Sequence, residues 1–200
     1  MSSLKMYNFI PQAKGLALPE GFTVTKYTSE DQIADWVDIC CDGENPLVAR
    51  ETGYEKFIQE LTKLDGPDPY RDTYFIEKDG EKIATFTVVP NMWSTGMGYI
   101  HMVACKAAYR GLGLGKFIAD CSLQKLIDMG KEKIFLLTGE ARHAALRTYI
   151  GAGFLPVNYI DDEGKDMIAR WQSVVNALNM DSLVLLDNDG NPMMTLHCEG

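Results

Sequence analysis

The stretch from Met97 to Gly130, "MGYIHMVACKAAYRGLGLGKFIADCSLQKLIDMG", restricts the fold more than any other part of the chain. A β-prone run, "MGYIHMVAC", leads into glycines at alternate positions (Gly111, Gly113, Gly115). An amphipathic helix follows, with Leu114, Phe117, Ile118 and Cys121 on one face. Gly130 is placed to stop that helix. With the strands and helices on either side of it, this run reads as part of a mixed α/β (α+β) fold. Bare backbone N–H groups at the positive end of such a helix can also seat a phosphate.

Two well-known phosphate loops are excluded by single residues. A Walker A loop needs Ser or Thr after its lysine to hold magnesium, and Phe117 follows Lys116. A dinucleotide fingerprint starting at Gly111 needs a further glycine where Lys116 stands, and it belongs on an early strand of a parallel sheet. What remains is R-x-x-G-x-G over Arg110, Gly113 and Gly115, suited to a pyrophosphate. Taken alone, the glycines also suit an ordinary tight turn.

Strand and helix patterns alternate on either side of this stretch, after an expected irregular arm over residues 1–20. "FTVTKY" reads as a strand. Ser29 with Gln32 and Thr52 with Glu55 read as capping boxes opening two helices. The first has Ile33, Trp36, Val37 and Cys40 on one face, the second Tyr54, Phe57, Ile58 and Leu61. Proline ends helical structure in "DGPDPY". "TYFIEK" and "KIATFTVVP" form a hairpin through Asp79 and Gly80. Beyond the glycines come strand "KIFLLT", helix "ARHAALRTYIGAG", strand "FLPVNYI", a helix near 165–178, and a hairpin of "SLVLL" and "MMTLHC". The pattern is a mixture of strands and helices that ends in a C-terminal helix and hairpin.

Two hundred residues at 46% hydrophobic can bury one sizeable core. A net charge of −9 argues against nucleic acid as a partner and mildly favours cationic ligands. The five cysteines are odd in number and lack C-x-x-C spacing, so they read as reduced thiols, with neither a disulfide framework nor a metal site. No run is apolar enough to span a membrane, and "MSSLKMYNFIPQ" lacks a leader pattern, so a cytoplasmic location is expected.

A second motif, "AALRTYIGAGF", carries Ala145, Tyr149, Gly153 and Phe154 in the pattern A-x-x-x-Y-x-x-x-G-F. With the Arg110–Gly115 loop it resembles the GNAT acetyltransferases, strongly from Phe75 to Phe154, weakly from 21 to 74, and not at all from about 161 on. Three positions depart from the family pattern: Cys105 replaces valine, Ala107 replaces proline, and Arg142 stands where an asparagine often contacts the cofactor.

The resemblance implies a mixed, mostly antiparallel central sheet flanked by helices, acetyl-CoA as co-substrate, no metal, and transfer to an amine of a small molecule or peptide. It gives the pyrophosphate to Arg110, Gly111, Leu112, Gly113, Leu114, Gly115 and Lys116, largely through backbone N–H groups. The thioester carbonyl falls to the backbone of Val103, Ala104 and Cys105. Tyr149 is implied as the acid for the departing thiolate, and packing on the sheet is its other role. His101 stands where the arylalkylamine N-acetyltransferases of this superfamily carry a histidine, with Tyr99 where a second one stands. Barring a bulge, strand alternation puts Tyr99, His101 and Val103 on one face, so His101 is either a base for the acceptor or a core residue. His143 and His197 read as surface residues.

Residues 1–160 are expected to form the acetyltransferase core, and 161–200 a helix–hairpin extension of the same domain. The extension's stripe of Met167, Ile168, Trp171, Val174, Val175 and Leu178 is too apolar to stay exposed. It should cover the acceptor side or make a homodimer contact. Two other readings remain open, a non-catalytic acyl-CoA-binding module and a protein N-acetyltransferase.

Overall fold

The computed structural model describes residues 3–199. In chain order its elements are β1 (Leu4–Asn8), β2 (Phe22–Lys26), α1 (Ile33–Cys40), α2 (Gly53–Ile58), α3 (Pro69–Asp72), β3 (Thr73–Lys78), β4 (Glu81–Val89) and β5 (Gly98–Cys105). There follow α4 (Leu114–Asp128), β6 (Ile134–Thr138), α5 (His143–Gly151), β7 (Leu155–Val157), α6 (Ile168–Ala177), β8 (Ser182–Leu186) and β9 (Pro192–His197). The fold is the mixed α/β arrangement expected, strands flanked by helices. The chain forms two compact units, one from Ala13 to Lys131, the other joining the segment up to Gln12 with everything from Glu132 onward. Among the described residues no helix is long and apolar enough to cross a membrane.

In the Ala13–Lys131 unit the strands run β2-β3-β4-β5, each pair antiparallel. The β3–β4 hairpin turns through Asp79 (φ 51) and Gly80 (φ 82), the two left-handed residues that a tight Asp-Gly turn requires. Trp36, Ile39, Phe57 and Leu61 from the helical segment bury into one cluster with Tyr27 and Phe75. The longest helix, α4, packs on β4 and β5 with Leu114, Ile118, Leu123 and Leu126 inside. Each such side chain contributes about 1.5–3 kcal/mol. Close approach of α4 depends on Gly98, where an added Cβ would lie 2.9 Å from the Leu126 side chain.

Neither expected capping box forms. Ser29 and Thr52 make no side-chain cap, because short 3-10 turns (Glu30–Gln32 and Arg50–Thr52) precede the two helices. Gln32 Oε1 instead accepts from the Thr28 backbone N–H at 2.7 Å. The second helix also departs from a uniform stripe. After Ile58 it widens into a π-turn, Gln59–Lys63, and Tyr54 is left 58% exposed while Phe57 and Leu61 are buried.

In the other unit the order is β6-β1-β7-β8-β9. The expected irregular arm is corrected here. Leu4–Asn8 pairs antiparallel with β6 on one side and β7 on the other, so it is an interior strand. Its strand character comes from two partners distant in sequence, and nothing local in "LKMYN" announces it. Asn8 also donates through Nδ2 to Ala152 O at 3.2 Å. The apolar stripe on α6 is covered within this unit: Trp171, Val174 and Val175 are buried, and Trp171 Nε1 donates to Val157 O at 3.1 Å. The β8–β9 hairpin forms as expected.

Candidate active site

The glycine loop starts where β5 ends. Lys106 N donates to Ile83 O at 2.9 Å, and a 3-10 turn over Ala107–Tyr109 carries the chain to Arg110. Gly111 (φ 81) and Gly113 (φ 83) are both left-handed, a conformation that strains any residue with a Cβ. Crowding is not the reason for glycine here, since an added Cβ at either position would meet nothing within 4 Å. The space in front of the backbone is therefore open. Gly113 occupies the N-cap of α4 and offers no side-chain oxygen, so the first-turn N–H groups of the helix have no side-chain cap, and of the first residues Gly115 and Lys116 are exposed while Leu114 is buried. Such a bare, positively polarised end fits an anionic group of pyrophosphate size.

Arg110 holds the loop in place. Its Nε donates to Cys105 O at 3.1 Å and a terminal nitrogen donates to Asp42 O at 3.3 Å. The guanidinium lies over Gly43, where a Cβ would come within 2.7 Å of it. The Asp42 carboxylate accepts from the Ala107 N–H. On the other side Glu81 accepts from Lys106 Nζ at 2.6 Å and from Tyr109 at 3.1 Å, and those bonds hold its carboxyl below the usual range. Arg110's side chain thus serves the scaffold, and its own N–H goes to Ala107 O.

Upstream, β5 changes character at Met102. Gly98 to His101 are buried and Met102 to Cys105 only half-buried. Met102 (φ 48) lies at a register shift between Thr85 and Thr87, which marks a β-bulge. The bulge corrects the expected alternation. Tyr99 and His101 share a face, with rings stacked at 4.9 Å, and past the bulge it is Met102 and Ala104 that pack on the α1–α2 cluster. The Cys105 thiol is pushed up to about 11 by burial, with the Arg110 charge opposing, so it stays protonated at neutral pH.

His101 is buried, and its Nε2 lies 3.3 Å from Glu60 Oε2 on the π-turn. The contact is an ion-pair distance, and Nε2 makes no hydrogen bond of good geometry. The His101 contact, assisted by Lys56 at 3.4 Å, holds the Glu60 carboxyl below its ordinary range despite partial burial. Tyr99 continues the stack to Trp93, at 5.9 Å between ring centres. Sequence reasoning missed Glu60, because a glutamate within a plain amphipathic helix reads as part of the solvated face and no residue pattern marks a π-turn.

Tyr149 lies in the other unit, on α5, packed edge-to-face against Phe154 with ring centres 6.0 Å apart. Burial pushes its hydroxyl up to about 12, with Arg142 opposing. Among the described residues that hydroxyl has no hydrogen-bond partner, so it is a protonated donor left available. His101, Val103 to Cys105 and the loop from Arg110 to Lys116 all belong to the Ala13–Lys131 unit. His143 and His197 are exposed, as expected.

The solved structure of a GCN5-related N-acetyltransferase from Sphaerobacter thermophilus is similar to this chain, with 18% identity, a TM-score of 0.58, and coverage of 78% of this chain and 49% of that one. A tandem GNAT protein from the clavulanic acid biosynthesis pathway gives 15% identity, a TM-score of 0.57, and coverage of 78% and 50%. A GCN5-related N-acetyltransferase from Kribbella flavida gives 16% identity, a TM-score of 0.50, and coverage of 78% and 55%. The chain spans about half the length of these structures. No curated protein matches it. The model of the acetyltransferase (GNAT) family matches residues 32–154, more than half of the sequence. With the glycine loop, the strand before it and the tyrosine helix all inside that span, the chain belongs to the GNAT acetyltransferase family.

Proposed function

We propose that the protein is an acetyl-CoA-dependent N-acetyltransferase that passes the acetyl group directly to an amine of a small molecule or peptide. The observation that carries this reading is the open, left-handed glycine seat at Gly111 and Gly113 before an uncapped helix. Backbone N–H groups from Gly111 to Lys116 would hold the pyrophosphate, with Arg110 keeping the loop in register. Acetyl-CoA, when bound, supplies an activated acetyl thioester. The backbone of Val103, Ala104 and Cys105, on the half-buried end of β5, would donate toward its carbonyl.

Tyr149 holds a proton at its oxygen throughout the neutral range and supplies it to the leaving sulfur. His101 takes the proton that the acceptor must lose. The half-buried thiols work against an acyl-cysteine route. Burial raises both Cys105 and Cys121, which leaves little thiolate to act as a nucleophile. We read the segment from 161 onward as an extension of the same domain; it falls in the compact unit that carries Tyr149. The test is thiol release from acetyl-CoA over a panel of amines. Amine-dependent release supports transfer, and acetyl-CoA binding without release under any amine would favour a non-catalytic acyl-CoA module.

A further inference from the structure

We propose that the groove around Lys5 binds a small organic carboxylate, with the anionic end on the Lys5 ammonium and the hydrocarbon along Ile160 and Met193. It is a second ligand site, and it uses none of the residues assigned to acetyl transfer. The groove measures about 590 Å³ and is walled by residues 158–160, by Asp187 and Asn188 of the β8–β9 turn, by Lys5 of β1 and by Met193 of β9. All of these belong to the unit that joins the segment up to Gln12 with everything from Glu132 onward.

The ammonium is the first argument. Covering a charge is costly unless an opposite charge meets it. Two other partly covered lysines are met in that way: Lys82, 16% exposed at its side chain, has Asp35 at 3.1 Å, and Lys106, 22% exposed, has Glu81 at 2.6 Å. Lys5 is partly covered too, yet among the described residues no carboxylate lies within ion-pair distance of it. Its Nζ donates to Asn188 Oδ1 at 3.1 Å and lies 4.7 Å from the ring centre of Tyr159 and 5.9 Å from that of Tyr7. Burial lowers this ammonium from its ordinary value, a penalty that a bound carboxylate would offset.

The other polar groups of the wall also suit an anion, because they offer donors. An ammonium has three N–H bonds, and Lys5 spends one on Asn188. Asn158 Oδ1 accepts from the Met167 N–H at 2.8 Å, which leaves its Nδ2 toward the Met193 sulfur at 3.6 Å, a weak acceptor. The carboxylate in the wall is already engaged. Asp187 accepts from the backbone N–H groups of Asp189 and Asn191 and from the Asn191 side chain, and those bonds hold it below its usual range. Both tyrosine rings are fixed beside the ammonium: the Tyr159 hydroxyl donates to the Ser3 carbonyl, and that of Tyr7 to the Asn188 carbonyl at 3.3 Å. In the same wall Ile160 and Met193 are 65% and 49% exposed, an apolar strip for hydrocarbon. The net charge of −9 repels anions at long range, so selection for a carboxylate falls on Lys5.

The test is an NMR titration of the full chain with hexanoate and, separately, with neutral 1-hexanol. Wild type should bind hexanoate about tenfold more tightly or better, with the largest amide shifts at residues 158–160 and Asn188. Lys5→Met keeps the length and the apolar stem, and it should bring the two ligands to equal affinity, its folding checked by the thermal midpoint. Equal binding of both ligands by wild type, or a preference retained in Lys5→Met, would overturn the proposal. Shifts confined to the glycine loop would overturn it too, since they would place the carboxylate in the proposed cofactor seat. If Lys5→Met does not fold, Ile160→Asp carries the test at an exposed position: a negative charge in the wall should cut the preference for hexanoate several-fold, and an unchanged preference would contradict the site.

Discussion

Arg110 closes the glycine loop onto the end of its own strand, its Nε donating to the Cys105 carbonyl at 3.1 Å. The residue that a motif would assign to phosphate is committed to holding the loop's shape. Two neutral-acceptor bonds of this kind contribute about 1–3 kcal/mol together. Arg110→Ala should therefore speed amide hydrogen exchange at Leu112 and Gly113 in the ligand-free protein and weaken acetyl-CoA binding several-fold. Weaker binding with unchanged loop exchange would instead point to direct phosphate contact.

Tyr149→Phe should leave acetyl-CoA affinity nearly intact and lower turnover by about 10²-fold, the usual scale for a lost general acid. Because the hydroxyl is pushed up to about 12, it stays protonated through neutral and mildly alkaline pH, so an alkaline limb in kcat near 10 should not arise from it. Full activity in the variant would reduce Tyr149 to packing against Phe154.

Stability should fall on the alkaline side. Tyr27 and Tyr149 are raised from 10.0 to about 12, and Cys105 from 9.0 to about 11, each by burial first. A raised folded value means that the unfolded chain loses its proton first, so the stabilisation is complete below about 9 and is lost as pH climbs toward 12. The thermal midpoint should decline across that window, and Tyr149→Phe should flatten the decline. A midpoint independent of pH between 9 and 11 would contradict the burial of these groups.

The parts legible in sequence share one property: their signals are local. The Asp79-Gly80 turn, the run from β5 through the glycines into α4, and the α6 stripe each fold as their periodicity or turn chemistry dictates. The parts that were not legible are set by distant partners. β1 is a strand because β6 and β7 flank it. Met102 is left-handed because the β4 register demands a bulge there. Glu60 meets His101 only through the π-turn. Two of these three features shape the candidate site, which explains why the glycine loop could be read and the surroundings of His101 could not.

Gly98→Ala should destabilise by about 1–3 kcal/mol through overpacking against Leu126, which is fully buried and has little room to yield. A drop in thermal midpoint with no change in acetyl-CoA affinity is expected. A neutral effect on stability would mean that α4 can retreat from β5 at little cost.

The most direct measurement of the central claim is a calorimetric titration of acetyl-CoA into wild type and into Gly113→Asp, with folding of the variant checked by circular dichroism. The aspartate places a side chain and a negative charge in the seat, so affinity should fall well over tenfold, a loss above ~1.4 kcal/mol. Equal affinity in a folded variant, or no binding of acetyl-CoA by wild type, would contradict the assignment of this loop as the cofactor site.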